Sequence, residues 1–232
     1  MDFGPSLKQR GLMVIDIIMD GMAISLKLGL TAACIALVTG IVLGSVAALR
    51  RNKLIDKIVM IITTAFVSMP SFIMGTLMLI LFCINLQWLP ANGAAEGGLI
   101  LPIITLALYP MAYITRLTKT SMLDVLGQDY IRTARAKGVA HWKVIFVHAL
   151  RNSLIPVITY VGPLTASILT GSLVIEKIFT IGGLGSKFVD SITNRDYTMI
   201  MGTTIFLAFI MILMNLVSDI LYKIVDPRIK LD

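Results

Sequence analysis

The sequence predicts an all-α integral membrane protein with about five transmembrane helices, and three observations carry that prediction. Its 232 residues are 57% hydrophobic and only 14% charged, against roughly a quarter charged in soluble domains. Mean hydropathy is +0.90. Several apolar runs reach the roughly 18 residues that cross a bilayer as a helix. A very apolar soluble core would need polar outer faces that these runs lack.

The spans fall at about 22–49, 56–86, 100–123, 153–175 and 197–222. The first closes on Arg50, Arg51 and Lys53; the second holds Pro70 and stops near Trp88, an interfacial residue type. Pro110 lies in the third, and Pro156 and Pro163 in the fourth. Proline is tolerated in a membrane helix where neighbours or a lined cavity satisfy the freed carbonyls, so these positions mark packing kinks or bends around a pathway. Residues 1–21 make an outer N-terminal segment and 22–232 one transmembrane domain.

Loop charge sets the orientation. Arg50, Arg51, Lys53 and Lys57 face only Asp56 after the first span, and seven cations from Arg116 to Arg151 face Asp124 and Asp129 after the third. The loop from Gln87 to Leu99 carries only Glu96, and the one from Glu176 to Asp196 is balanced. Basic loops stay cytoplasmic, which puts the N-terminus of this chain outside and its C-terminus inside. The net charge of +7 is thereby spent on topology, with no nucleic-acid partner implied. An exported start with no signal segment before it predicts a further span upstream of this chain.

Ala32, Ala36, Gly40, Gly44 and Ala48 recur every fourth residue along the first span. Such a stripe lines one helix face and lets another backbone approach closely, so these five form the expected helix-packing face. Gly162, Ala166 and Thr170 repeat the pattern more weakly in the fourth span.

Catalytic, metal-binding and cofactor-binding residues are not expected. No GxxxxGK[ST] or HExxH occurs, and "GGLGSK" at 182–187 lacks phosphate-loop spacing. His141 and His148 have no cysteine or carboxylate beside them, and Cys34 and Cys83 sit inside apolar runs as small core residues. Glu176, Asp219 and Lys27 lie toward span ends, where charges snorkel. A proton-coupled carrier or a membrane enzyme would place ionisable or nucleophilic groups deeper.

The remaining feature is a basic insert at about 127–152, two helical pieces split by Gly138. Asp129 can cap the first piece. Trp142, Ile145, Phe146 and Ala149 share one face of the second at helical spacing. Arg132 and Arg135 fall early in the first piece, where the helix dipole disfavours cations, and that misfit asks for an acidic partner.

This helix–Gly–helix resembles the EAA loop of ABC importer permeases. Aligned on Gly138, "RTARAKG" stands where "EAAxxxG" would, with Arg132 for the Glu and Ala134 keeping the second Ala. "YIRTARAKG" followed by "HALRNSLIP" is the form this loop takes in the oligopeptide/dipeptide/nickel branch. "DFGPSL", "GIVLGSVAALRR", "IGGLG" and the terminal "NLVSDILYKIVDPR" resemble the first of that family's two permease subunits, with Gly182 where a proline is common. Family members normally begin with one further span, which this chain is expected to lack.

The resemblance implies a type I importer permease core in a bacterial or archaeal plasma (inner) membrane. It implies a second homologous permease, two cytoplasmic ABC ATPases that use ATP and Mg, and an extracellular solute-binding protein, all acting across the lipid bilayer. The solutes would be peptides or related small molecules, nickel chelates among them. ATPase coupling would fall to Asp129, Tyr130, Arg132, Thr133, Ala134, Arg135, Ala136, Lys137, Gly138, His148, Arg151 and Asn152.

Overall fold

A computed structural model describes residues 3–171 and 173–225. Among the described residues the chain is helical, apart from one isolated antiparallel bridge between Pro5 and Met13. The helices are α1 (Val14–Leu49), α2 (Leu54–Ser68), α3 (Ser71–Met78) with a π-helical continuation (Leu79–Asn85), and α4 (Ile100–Leu126). There follow α5 (Asp129–Ala136), α6 (His141–Lys143), a second π-helical stretch (Val144–Leu150), α7 (Arg151–Ser153), α8 (Ile155–Gly171), α9 (Leu173–Ile178), α10 (Leu184–Thr193) and α11 (Tyr197–Val225).

Three helices, α1, α4 and α11, are long and apolar enough to cross a membrane alone. Two more spans arise if α2 is joined to α3 and α6–α7 to α8. Three to five candidate spans thus stand against the expected five, with two differences from the expected bounds. First, α1 begins at Val14 rather than near 22. Exposed Asp16 and Asp20 end the apolar run but not the helix; Asp16 lies in the first turn, where a carboxylate is favourable. Second, the span at 56–86 breaks outright at Met69–Pro70. Pro70 is extended (φ −57°, ψ 140°) and starts a new helix, since its ring cannot continue the old one. The terminal "DPR" and the side chains of Ala166 and Thr170 lie outside the described residues.

The chain divides into two compact units. One comprises residues 1–34, 69–107 and 163–216. Its core joins Val14, Ile17, Ile18 and Met22 to Leu184, Met199 and Ile210. A second cluster gathers Leu28, Leu101, Ile175, Phe179 and Ile181. Two carboxylates are buried here, each met by donors. Glu176 accepts from the Ser25 hydroxyl at 2.7 Å and the Ser186 N–H at 3.0 Å. It is a fully buried group, unlike the snorkelling span-end charge the sequence suggested. Asp196 holds the N-terminal loop to the start of α11. Its carboxylate accepts from the Ser6 hydroxyl, the Leu7 and Lys8 N–H groups, the Thr198 hydroxyl and the Met199 N–H.

The other unit comprises residues 35–68, 108–162 and 217–232. Here Ala36, Gly40, Gly44 and Ala48 of the four-residue stripe are all buried, as is Ala32 in the first unit. A Cβ on Gly44 would lie 2.5 Å from the Thr115 carbonyl oxygen and 2.7 Å from Thr118 Cβ; one on Gly40 would lie 2.8 Å from Ile114. Gly40 and Gly44 of the stripe therefore pack on α4 of the same chain. At the end of this contact Asp56 pairs with Lys119 and accepts from the Asn52 N–H at 2.9 Å.

Two outcomes follow. Gly44→Ala should cost about 1–3 kcal/mol, the range for overpacking a tight contact, because the obstacle is backbone. Val42→Leu, at an exposed site on the same helix, should be near neutral; thermal unfolding in detergent separates them. The second concerns acid. Burial pushes the Asp196 carboxyl up, but the Ser6, Met199, Thr198 and Leu7 donors outweigh it and leave it below 3.8. A depressed carboxylate contributes stability in full above that ordinary value and loses it as pH falls through the lowered one. Amide exchange at residues 6–8 should therefore be slow at neutral pH and rise only in that acid range. Asp196→Asn should show fast exchange already at neutral pH.

Candidate functional site

The basic insert lies wholly within the second unit. Gln128, extended at ψ 151°, caps α5, and Asp129 is the first helical residue instead of the cap. Its carboxylate accepts no capping bond and meets Arg132 at 3.5 Å, both side chains largely in solvent. In the first turn an acid still suits the helix dipole, which is why Asp129 reads like a cap from sequence. One apolar residue anchors the helix: Ile131 is fully buried among Ala48, Met122, Val144, Ile145 and Ala149.

Gly138 ends α5 through a Schellman motif. Its φ is +74°, its N–H donates to the Arg135 carbonyl at 3.0 Å, and the Val139 N–H donates to the Ala134 carbonyl at 3.2 Å. Ala134 and Val139 both pack against the Ile131 cluster, supplying the apolar contact that goes with this ending. Open space surrounds the missing Cβ, so Gly138 is required by its backbone angle and not by crowding.

The second piece is not a plain α-helix. Val144–Leu150 winds with π spacing, which turns the faces away from those that α-helical spacing predicts. Val144, Ile145 and Ala149 point inward, while Trp142 and Phe146 are exposed. The expected single face of Trp142, Ile145, Phe146 and Ala149 is thus divided. The Asn152 amide ties the two pieces together, donating to the Tyr130 hydroxyl at 3.0 Å and the His148 carbonyl at 2.9 Å. Thr133 bonds back to the Asp129 carbonyl at 3.0 Å. Arg132, Arg135, Lys137, Lys143 and Arg151 all remain exposed, as does Ala136. Lys143 sits 5.6 Å from the Trp142 ring.

The insert thus combines a hydrophobic root, a fixed turn and an outer surface of cations and aromatic rings. Sequence reasoning found the turn and the cations but missed Ile131, whose isolation within a polar helix was the available signal. It also missed Glu176 and Asp196, which carry no local signature of burial. Among the described residues no cluster of His, Cys, Asp or Glu could hold a metal ion.

Helices long and apolar enough to span a membrane, with an amphipathic insert between them, define a helical membrane protein. The chain belongs to the binding-protein-dependent transport system inner membrane component family, whose model matches residues 40–231. It is 51% identical to the dipeptide transport system permease protein DppB of Bacillus subtilis over 231 residues, 99% of this chain and 75% of that one. It is 43% identical over 232 residues to the oligopeptide transport system permease protein OppB of Haemophilus influenzae, 99% and 76% respectively. Its fold matches a chain of the MetNI methionine ABC transporter, solved in inward-facing conformations, with TM-score 0.73 and 17% identity over 91% of this chain and 97% of that one. The fold is that of a type I ABC importer permease, and the protein is a multi-pass membrane subunit of an ATP-driven importer. Such a system in general includes ATPases, a partner permease and a binding protein.

Proposed function

We propose that this chain, with a second permease, forms the path for peptides and related small solutes, and that its insert is where two cytoplasmic ATPases grip it. The observation that carries the coupling role is the insert's construction. Ile131 roots it in the helices of its own unit, Gly138 fixes the angle between its pieces, and Arg132, Arg135, Lys137, Trp142 and Phe146 stand outward. A surface of cations and exposed rings suits a partly acidic protein cleft, since Arg and aromatic residues dominate binding hot spots. The names of the dipeptide and oligopeptide relatives support peptides as the solute. Loop charge supports an inward-facing insert, an outer N-terminal segment and a cytoplasmic C-terminus. Closure of the ATPases on MgATP would then push the insert and move the helices rooted to it.

Two experiments test this reading. Gly138→Val places a β-branched residue at φ +74°, whereas Gly138→Asn keeps a residue that tolerates this region. In reconstituted complexes Val should abolish uptake and solute-stimulated ATP hydrolysis while leaving the permease pair assembled; Asn should retain much of both. Equal activity of the two variants would remove the insert from the coupling path. Orientation is tested separately by cysteines at exposed Lys137 and Asn92. An impermeant thiol reagent should label the second in intact cells and the first only after permeabilisation.

A further inference from the structure

The second unit exposes two chemically different faces on helices of candidate spans, α2 and α4. Along α2 the exposed residues include Ile58, Ile61 and Ile62, a face suited to lipid. Along α4 they are Tyr109, Tyr113, Arg116, Thr120 and, at the end of the helix, Asp124; the first four stand at i, i+4, i+7 and i+11, one stripe roughly 16 Å long at the helical rise, with Asp124 two turns beyond Arg116. The opposite side of α4 buries Ala112, Thr115, Thr118 and Met122. The Tyr160 ring from α8 stacks on Tyr113, centroids 4.4 Å apart and planes tilted by 35°. A cavity of about 400 Å³ lies against this stripe, lined by Val67, Tyr113, Arg116, Leu117 and Thr120.

Lipid does not suit such a face. A hydroxyl or guanidinium with no partner in hydrocarbon is costly, and ionisable groups on membrane helices face a wet cavity or a partner. Lys119, one turn further along, has Asp56; Arg116 has no ion pair among the described residues. Its guanidinium is a free two-pronged donor that matches a carboxylate. The neighbouring rings and hydroxyls offer apolar contact and hydrogen bonds without selecting one side chain. An open stripe with a single cation also holds a solute weakly enough to release it, as transit requires.

We propose that the Tyr109–Tyr113–Tyr160 face lines the solute path and that Arg116 receives the terminal carboxylate of a peptide in transit. This rests on the reading of the chain as a peptide permease. The occupant is the moving solute; a second permease seated permanently on the stripe is the competing outcome.

The test uses the full complex of both permeases, ATPases and binding protein in proteoliposomes, with Cys34 and Cys83 replaced. Tyr113→Cys should react with 2-aminoethyl methanethiosulfonate at least tenfold faster than Ile61→Cys. That modification should stop uptake, and a peptide undergoing transport should slow it. Reaction no faster than at Ile61→Cys, or a disulfide from residue 113 to the partner permease, would overturn the assignment of the path. With saturating loaded binding protein, Arg116→Gln should lower uptake of alanyl-alanine at least fivefold and leave that of its C-terminal amide within twofold, while Arg116→Lys keeps both. Equal loss of both solutes would overturn the role of Arg116. Wild-type uptake of alanyl-alanine tests the peptide reading by itself, and the cysteine reactions decide the path whatever the solute.

Discussion

The close approach of α1 to α4 is the constraint on which the second unit depends. Hydrocarbon supplies no hydrophobic drive between membrane helices, so they hold together by van der Waals contact where side chains are small. Gly40 and Gly44 bring the backbones so near that a single methyl group has no room beside Thr115. One turn later Ala48 enters the same core as Met122, Ile131 and Val144. The insert is therefore fastened, through Ile131, where two helices already touch. On the proposed reading, a lever needs such a root.

Polar groups follow a consistent rule across both units. Glu176, Asp196 and Asp56 are buried carboxylates, and each is met by hydroxyls, backbone N–H groups or a lysine. The cations of the insert and Arg116 on α4 are exposed and, apart from the weak Asp129–Arg132 pair, make no ion pair among the described residues. Satisfied carboxylates hold the structure, while unsatisfied cations mark surfaces that something else must meet. On the proposed reading, that partner is a protein surface at the insert and a solute in passage along α4.

What the sequence discloses is set by how far each signal reaches. Spans, the Gly138 turn and the small-residue stripe rest on hydropathy, one residue's backbone freedom and a four-residue period, all local quantities. The partner of the stripe was not legible, because periodicity names a face and not what covers it. The start of α1 was missed because Asp16 and Asp20 interrupt apolarity without stopping the helix, and Asp16 suits its first turn. The break at Pro70 exceeds a kink, which proline alone does not determine. Trp142 and Phe146 stand outward against an α-helical reading of a segment in which Val144–Leu150 winds with π spacing. Burial of Glu176 depends on Ser25, far away in sequence.

The central claim is that the insert moves as one piece with the helices of its own unit when the ATPases close. Spin-label distances measure this directly. Labels at Lys137 and at exposed Leu54, both in the second unit, should keep their separation between nucleotide-free and ATP-trapped complexes. A label at Lys137 should meanwhile shift relative to one on the partner permease. A change between residues 137 and 54 with no shift relative to the partner would mean that the insert swings on its own root, and the account would be contradicted.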